Sequence, residues 1–460
     1  MNLRIISYFL GWVLKIEAAA LLISGIVSVC SQDSYWFILF ICAAVVFLIG
    51  TLMSPKKFKT GSLYSREGYT ATALGWLLLA LVGAVPFVIT GKIPNYIDAV
   101  FEIASGFTTT GASILDEVEH LEKGLLFFRS FSHWIGGMGI LVLILAILPF
   151  GGSGNHMQLM KAESPGPTVS KLVPRVRETA FVLYAIYFVM TIVMVITYML
   201  AGMKAFDAFC IGFGTAGTGG FTVRNDGWES YSHAAVWLST VWMFLFGTNF
   251  NVFYLLINRK FKSALGSEEL RAYFLVVLFA IVFTTVTVFI GNPIPATSTV
   301  GKHLADTVRE NSFTVVSTIS STGFTLPILE KWGTAGRTML LFLMFVGCCG
   351  GSTGGGIKIS RVLVLVKNAR KELHMLIHPN AVRLVKLEGK TLEHNTVRSV
   401  TNYLILFGMI FIISLLIISV DPAIDSFTKG FASVLTCFNN IGPGLAEKVH
   451  GSVPLQTTIR

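Results

Sequence analysis

The stretch STISSTGFT, residues 317–325, is polar, carries a glycine and lies between two long apolar runs. Three other stretches resemble it: ASGFTTTGAS from Ala104, GFGTAGTGGFT from Gly212 and LTCFNNIGPG from Leu435. Each stretch contains one glycine at a corresponding place, namely Gly111, Gly220, Gly323 and Gly442. The intervals between them are 109, 103 and 119 residues. Self-similarity at a nearly fixed period indicates an internal repeat.

The composition is typical of a membrane protein. Of 460 residues, 53% are hydrophobic and only 13% are charged, and many apolar runs approach the roughly 20 residues that cross a bilayer. We interpret the first run as a span and not as a cleaved signal peptide, because a second span follows at once. The predicted spans are 7–29, 35–53, 71–91, 124–149, 179–202, 233–257, 272–291, 335–346 and 399–419.

The net charge of +10 is concentrated in alternate loops, namely 54–69, 151–178, 258–271 and 362–398. The positive-inside rule places these loops, and with them the N-terminus, on the cytoplasmic side. The sequence has no basic patch interleaved with aromatic residues, which argues against nucleic-acid binding. The six cysteines show no CxxC spacing, and we interpret them as small buried hydrophobic residues.

Each repeat contains an apolar span, a half-helix, the polar loop and a second span. The half-helices are predicted to be about 10 to 14 residues long, which suits a re-entrant helix and not a span. They begin near Asp98, Asp207, Asp306 and Asp425. We predict an all-α polytopic membrane protein with four span–pore helix–loop–span repeats around a central pore and an N-terminal helical hairpin. The predicted domains are the hairpin 1–66 and the repeats 67–160, 161–262, 263–378 and 379–460.

The fourth repeat departs from this pattern. Only LAEKVHGSVPLQTTIR follows Gly444, and it contains no apolar run, so the repeat lacks its last span. We expect its loop to be less well supported than the other three, and Glu447–Arg460 to be irregular. A truncated chain, a frame change near Ala446 and a wall supplied by a neighbouring subunit stay open as explanations.

The polar loops have the chemistry of a path for monovalent cations. Non-helical backbone at membrane depth is tolerated where it is buried in protein or lines water, and a ring of backbone carbonyls can replace the hydration shell of an ion. Glycine permits the dihedral angles that turn carbonyls inward, and the C-terminal ends of half-helices favour cations. The loops carry no ring of carboxylates, which disfavours a site for divalent ions.

Several motifs together resemble the Trk/Ktr/HKT superfamily of potassium transporters, and within it the bacterial TrkH/TrkG type. They are SGFTTTGAS in the first loop, HWIGGMGILVL from His133, GGFT from Gly219, GTNFNVFY from Gly247, GGSTGGGIKISR from Gly350 and NNIGPGL from Asn439. The N-terminal hairpin favours the TrkH type over the shorter KtrB type.

The resemblance implies potassium uptake across the bacterial inner membrane, with K⁺ as the transported ion, no covalently bound cofactor and no enzymatic activity. It also implies a homodimer and a cytosolic TrkA-like nucleotide-binding regulator. A glycine in the first loop, here Gly111, goes with a preference for potassium in this family. The implied ion-binding residues are Thr109, Thr110, Gly111, Thr218, Gly219, Gly220, Ser321, Thr322, Gly323, Asn440, Ile441 and Gly442. The implied gate is an intramembrane loop with Gly347, Gly350, Gly351, Ser352, Thr353, Gly354, Gly355, Gly356 and Lys358.

Two alternative functions stay open. The first is sodium-coupled potassium symport of the KtrB type. The second is an intramembrane serine hydrolase, since residues 350–354 read GGSTG, which fits GxSxG, with Ser352 as nucleophile and His133 as base. That motif belongs to a strand–turn–helix, whereas an apolar helix is predicted before it here. The spacing of Lys358 does not fit a phosphate-binding loop, and GFGTAG at 212–217 follows no strand.

The charged residues near the predicted spans have simpler interpretations. We expect Arg129 and His133, which lie beside Trp134, to be interfacial residues at the end of a span. The basic cluster after the predicted gate fits contact with lipid headgroups and contact with a cytosolic regulator equally well. Its members are Arg361, Lys367, Arg370 and Lys371.

Overall fold

The structure is a computed structural model, and it describes residues 3–54, 65–115, 117–139, 176–291, 299–326, 332–380, 383–422, 424 and 426–442. These residues form helices, numbered here in chain order, and one antiparallel pair of two-residue strands. They divide into two compact units, one up to Ala235 and one from Val236 onward.

The first unit begins with the predicted helical hairpin, in which two small residues let the helix backbones approach closely. A Cβ added to Gly11 would lie 2.7 Å from the carbonyl oxygen of Gly50, and one added to Gly50 would lie 2.8 Å from that of Gly11. The helices of this unit are α1 Leu3–Cys30, α2 Trp36–Met53, α3 Ser65–Gly83, α4 Val85–Ile89, α5 Tyr96–Phe107, α6 Lys123–Gly137, α7 Val176–Leu200 and α8 Ala205–Gly217.

The second unit begins within α9 and holds the remaining elements. They are α9 His233–Phe246, α10 Phe250–Ile257, α11 Phe261–Leu265, α12 Glu268–Gly291, α13 Val300–Ile319, α14 Thr334–Val346, α15 Ile359–Ile377, β1 Lys386–Leu387, β2 Lys390–Thr391, α16 His394–Ile418 and α17 Phe427–Phe438. A core cluster of Met344, Phe411, Val434, Leu435 and Ile441 joins α14, α16 and α17.

Six helices of the described part are long and apolar enough to cross a membrane: Leu3–Cys30, Trp36–Met53, Arg66–Ile89, Glu178–Leu200, Glu268–Gly291 and His394–Ile418. Most of the predicted spans coincide with these helices. The predicted span 124–149 is described only up to residue 139, where α6 has ended at Gly137.

The prediction of one continuous span over 233–257 is wrong. The structure bends it by 92° between α9 and α10. Asn249 caps α10 by accepting a hydrogen bond from the backbone N–H of Asn251 at 3.0 Å. The residues at the bend also bond to a distant loop, so the break is a feature of the tertiary structure.

The predicted half-helices correspond to α5, α8, α13 and α17. Three of them have 12 or 13 residues, as expected. The third prediction is wrong in length, because α13 has 20 residues and begins at Val300, ahead of Asp306. Its start is set by Thr299, whose side chain accepts a hydrogen bond from the N–H of Lys302.

A non-helical loop separates α14 from α15 and corresponds to the glycine-rich stretch of the sequence. Its base is closed by backbone hydrogen bonds from Ile357 to Phe345 and from Lys358 to Val346, both 3.1 Å long. The segment that follows the fourth polar loop, including Glu447–Arg460, lies outside the described residues. The prediction of a missing last span therefore stays a prediction, as do the domain boundaries.

Candidate functional site

The four polar loops share one backbone conformation. We define loop 1 as Thr109–Gly111, loop 2 as Thr218–Gly220, loop 3 as Ser321–Gly323 and loop 4 as Asn440–Gly442. In each loop the first and third residues have positive φ, and the middle residue does not. The φ angles of the first residues are 58°, 54°, 58° and 53°, and those of the glycines are 76°, 82°, 77° and 89°.

The first two residues of each loop donate the same pair of hydrogen bonds to the preceding half-helix, which ends in a Schellman motif. The N–H of the middle residue donates to the carbonyl five residues back at 2.8–2.9 Å, and the N–H of the first residue donates to the carbonyl three residues back at 3.1–3.2 Å. The longer-range bonds run from Thr110 to Ser105, from Gly219 to Gly214, from Thr322 to Ser317 and from Ile441 to Thr436.

The first residue of each loop is strained. The left-handed position of a Schellman motif is usually glycine, whereas Thr109, Thr218, Ser321 and Asn440 occupy it here. A left-handed conformation costs an L-residue roughly 1–2 kcal/mol, and a β-branched residue in it is an outlier. Strain of this kind persists where the surrounding structure imposes it, and it clusters at functional sites.

In the first unit, loop 1 packs directly against loop 2. A Cβ added to Gly111 would overlap the carbonyl oxygen of Gly219, so only glycine fits at this contact. Helix α6 supports both loops from behind, because a Cβ at Gly136 would overlap the carbonyl of Phe107 and one at Gly137 would lie 2.6 Å from the Cα of Gly217.

Arg129 and His133 are not interfacial, and that expectation is wrong. Both side chains are fully buried on α6. The Arg129 guanidinium pairs at 2.5 Å with the carboxylate of Glu102, which is equally buried on α5. The His133 Nδ1 bonds to the carbonyl of Gly106 at 2.7 Å, which places the ring against the end of a half-helix. These partners explain how both polar side chains are accommodated in the interior of the first unit.

Loop 2 continues into a half-buried polar cluster of the first unit. Asp207 of α8 pairs with Arg224 at 3.3 Å and accepts a hydrogen bond from the Tyr231 hydroxyl at 3.1 Å. Burial, followed by the negative charge of Asp207, raises the pKa of the Tyr231 phenol. The phenol therefore keeps its proton and stays a donor to the carboxylate.

In the second unit, the glycine-rich loop between α14 and α15 lies against loops 3 and 4. The N–H of Gly355 donates to the Oγ of Ser321 at 2.5 Å. A Cβ at Gly354 would overlap the carbonyl of Ser320, and one at Gly355 would overlap the carbonyl of Asn439. The loop thus contacts both half-helix ends of this unit, and it does so through glycines that leave no space for a side chain.

A buried lysine lies within the same loop. Lys358 is 2% exposed, and its ammonium donates to the carbonyl of Gly354. The loop therefore holds a positive charge beside loop 3, since Gly354 contacts Ser320 and Ser321. A fixed positive charge repels a cation that moves along a path close to it.

The loop is anchored to the bend between α9 and α10. The N–H of Cys349 donates to the carbonyl of Gly247, and the N–H of Phe250 donates to that of Gly351, both at 3.1 Å. The buried carboxylate of Glu269 accepts from the N–H of Gly350 at 2.6 Å and from the Asn249 side chain at 3.2 Å. The bend and the loop are thus one hydrogen-bonded assembly.

Replacing Glu269 by alanine is expected to destabilise the protein by about 1–3 kcal/mol, because buried donors on Gly350 and Asn249 lose their acceptor. The neighbouring variant Glu268→Ala is the matched control. Glu268 pairs with Lys367 while 35% exposed, and an exposed pair contributes about 0–1 kcal/mol. Thermal unfolding in detergent measures both variants, and equal shifts in Tm would contradict the anchoring role of Glu269.

The geometry at Ser352 does not support a nucleophile. Its hydroxyl donates to the carbonyl of Cys349 at 2.6 Å, and a helix precedes the GxSxG stretch where the motif requires a strand. Both ring nitrogens of His133 are also occupied, by Gly106 and by the N–H of Phe221 at 3.4 Å. The ring is therefore not free to act as a base.

The structure places the predicted loop residues in four equivalent backbone positions, and it places the predicted gate residues against two of them. It adds Glu102, Asn249 and Glu269, which the sequence analysis missed. Glu102 had a usable signal, since an acid inside an apolar membrane segment is a functional candidate by default.

Comparisons with known proteins agree on one family. The model of the TrkH family, described as a cation transport protein, matches residues 37–459. The chain is 35% identical over 451 residues to the Trk system potassium uptake protein TrkH of Salmonella typhimurium, covering 97% of this chain and 91% of that protein. It is 31% identical over 449 residues to the Trk system potassium uptake protein TrkG of Escherichia coli, covering 96% and 90%. The crystal structure of the potassium transporter TrkH from Vibrio parahaemolyticus is similar, with a TM-score of 0.85, 29% identity and coverage of 97% of this chain and 92% of that one.

Proposed function

Because this chain belongs to the TrkH family of cation transport proteins, we propose that it carries potassium ions into the cell through a filter built from loops 1 to 4. It is an integral membrane protein of a transporter family and not an enzyme. The observation that carries the proposal is the fourfold recurrence of positive φ at the first and third residues of each loop. Such backbone turns carbonyls in directions that a helix or strand does not allow, and carbonyls can replace the water around K⁺.

The ion-binding residues in this proposal are those of the four loops. The half-helices α5, α8, α13 and α17 direct their C-terminal ends at the loops, and the partial negative charge there attracts cations. Gly111 serves the preference for potassium, because a side chain at this position would displace the carbonyl of Gly219.

The glycine-rich loop between α14 and α15 is the gate in this proposal. Its contacts with Ser321 and Asn439 support a closed position beneath the filter. Lys358 contributes a positive charge that repels the permeating ion. Six of the ten residues Gly347–Gly356 are glycine, so few side chains have to be moved when the backbone of the loop changes conformation, which suits a gate.

We propose the partners and the location on the basis of the family and of the distribution of charged residues. The chain lies in the bacterial inner membrane with its N-terminus in the cytoplasm, forms a homodimer and is controlled by a cytosolic TrkA-like nucleotide-binding protein. The relatives named above are parts of a Trk system, which supports further components. Lys367, on the helix that follows the gate, reaches Glu268 and the backbone of Lys386, so a protein bound to this face could act on the gate.

Sodium-coupled symport differs from this function only in the driving ion, and no observation favours it. The hydrolase alternative is not favoured, because the hydroxyl of Ser352 and the ring of His133 are both engaged in hydrogen bonds.

Expression of the protein in a bacterial strain without its own potassium uptake systems is expected to restore growth on low-potassium medium. Uptake of radioactive rubidium by the same cells measures transport directly. The Ser352→Ala variant should behave like the unmodified protein, whereas a hydrolase would lose its activity completely. Failure of the unmodified protein to move rubidium, when it is present in the membrane, would refute the proposed function.

A further inference from the structure

We propose that Glu102, Arg129 and His133 form a positioning network that holds loops 1 and 2 in register and thereby sets the discrimination between K⁺ and Na⁺. The inference rests on the proposed function, since it assigns a role in selectivity to side chains that do not themselves line the loops. All three side chains are fully buried in the first unit.

Glu102 holds the chain that leaves loop 1. Its Oε1 accepts a hydrogen bond from the hydroxyl of Ser113 at 3.0 Å, and its Oε2 accepts one from the N–H of Ile114 at 3.0 Å. These two residues follow Gly111 closely, so the carboxylate fixes the direction in which the loop exits. Arg129 occupies the remaining face of Oε1 at 2.5 Å.

Arg129 connects this carboxylate to loop 2. Its Nη1 donates to the carbonyl of Thr222 at 3.2 Å, and its guanidinium carbon lies 3.4 Å from the centre of the Phe221 ring. Phe221 and Thr222 come directly after Gly220. One guanidinium therefore contacts the exit of loop 2 and, through Glu102, the exit of loop 1.

His133 lies one turn further along α6 and makes a second connection. Its Nδ1 donates to the carbonyl of Gly106, just before loop 1, and its Nε2 accepts from the N–H of Phe221, just after loop 2. Both bonds exist together only in the neutral imidazole with its proton on Nδ1. A Cβ at Gly219 would overlap this ring, so the imidazole also fixes how closely loop 2 approaches α6.

The charge is specific to the first repeat. At the position of Glu102, nine residues before the loop glycine, the other repeats carry Ile211, Thr314 and Ser433. A buried ion pair contributes little net stability compared with apolar side chains of similar size, because removing both charges from water is costly. Packing alone would therefore be served by an apolar pair, whereas a defined spacing between two loops needs directed bonds at fixed lengths.

Two variants test the network, with K⁺ and Na⁺ permeability compared through reversal potentials in proteoliposomes. The double variant Glu102→Gln/Arg129→Gln removes both charges and leaves no unpaired ion, and it is expected to lower the permeability ratio by about tenfold. Ser113→Ala removes one hydroxyl at the edge of the network and is expected to lower the ratio by about threefold. Asp207→Asn is the matched control, since it removes the charge of a carboxylate in the first turn of α8, at the end of that half-helix away from loop 2, and should leave the ratio unchanged.

A purely structural role would reduce the amount of folded protein and total flux, but it would not move a ratio measured on the channels that remain. Unchanged ratios in both variants would overturn the inference. If the double variant does not enter the membrane, Ser113→Ala decides alone, and a native ratio in it overturns the inference equally. If the unmodified protein carries no potassium current, the proposed function fails; if it selects potassium and the variants do too, only the network fails.

Discussion

Replacing Gly111 by serine is expected to reduce the preference for K⁺ over Na⁺ by about 10- to 100-fold, equivalent to about 1.4 to 2.7 kcal/mol. The residue has φ of 76°, and a Cβ there would overlap the carbonyl oxygen of Gly219. That oxygen belongs to loop 2, so the substitution displaces a proposed ion ligand in a different repeat and adds a hydroxyl to loop 1. Potassium and sodium uptake would be compared in a host without its own potassium systems.

Gly91→Ser is the control that separates the effect of backbone strain from the effect of a steric clash with loop 2. Gly91 has a similar φ of 69°, but a Cβ there would meet nothing within 4 Å. The control should share the cost of a left-handed serine and keep the native preference for potassium. An unchanged ion ratio in Gly111→Ser would remove Gly111 from the filter, and an equal loss in both variants would trace the effect to backbone strain.

Deleting Ser352–Gly355 is expected to raise potassium flux per protein by about tenfold, equivalent to about 1.4 kcal/mol in the closing equilibrium, without changing ion preference. The deletion removes the part of the loop that contacts Ser321 and Asn439. The bonds that close the base of the loop, from Ile357 to Phe345 and from Lys358 to Val346, involve none of the deleted residues. Flux would be measured as rubidium uptake normalised to protein in the membrane.

Ser352→Ala serves as the control for this deletion, because it alters one side chain and leaves the length of the loop unchanged. Its flux should stay near that of the unmodified protein. A fall in flux in the deletion variant at constant protein level would assign the segment to packing. A change in ion preference would mean that the loop also shapes the filter.

The loops could be predicted from sequence because their requirement is local. Positive φ at a fixed place favours glycine, so Gly111, Gly220, Gly323 and Gly442 made the repeat visible. The left-handed residues at Thr109 and Thr218 gave no such signal, since threonine rarely adopts that conformation. Their strain comes from the tertiary structure and not from their own preference.

The bend between α9 and α10 was not predicted, because the run over 233–257 has the length of a single span, although Gly247, Thr248 and Asn249 interrupt its apolar residues. Its cause is remote: Gly247 and Phe250 bond to Cys349 and Gly351, about a hundred residues later in the chain. Periodicity within one segment holds no information about such partners.

Arg129 and His133 illustrate the same limit for single side chains. A charged residue beside a tryptophan near the end of a span suggests the membrane surface, and this is the interpretation that the sequence favoured. The decisive partner, Glu102, is on another helix 27 residues earlier. Once the two are paired, burial becomes possible for both, because neither charge is left alone.

The middle residues are threonine in loops 1 and 3, glycine in loop 2 and isoleucine in loop 4, yet their N–H groups make the same bond. The conformation is thus specified by the main chain and is compatible with several side chains, although in loop 2 the His133 ring leaves space only for glycine. A channel assembled from four identical subunits receives every mutation four times over. Here all four loops are encoded separately in one chain, so a mutation changes one loop of the proposed filter and leaves the other three unchanged. Ion preference can therefore change in smaller increments than in a channel of four identical subunits.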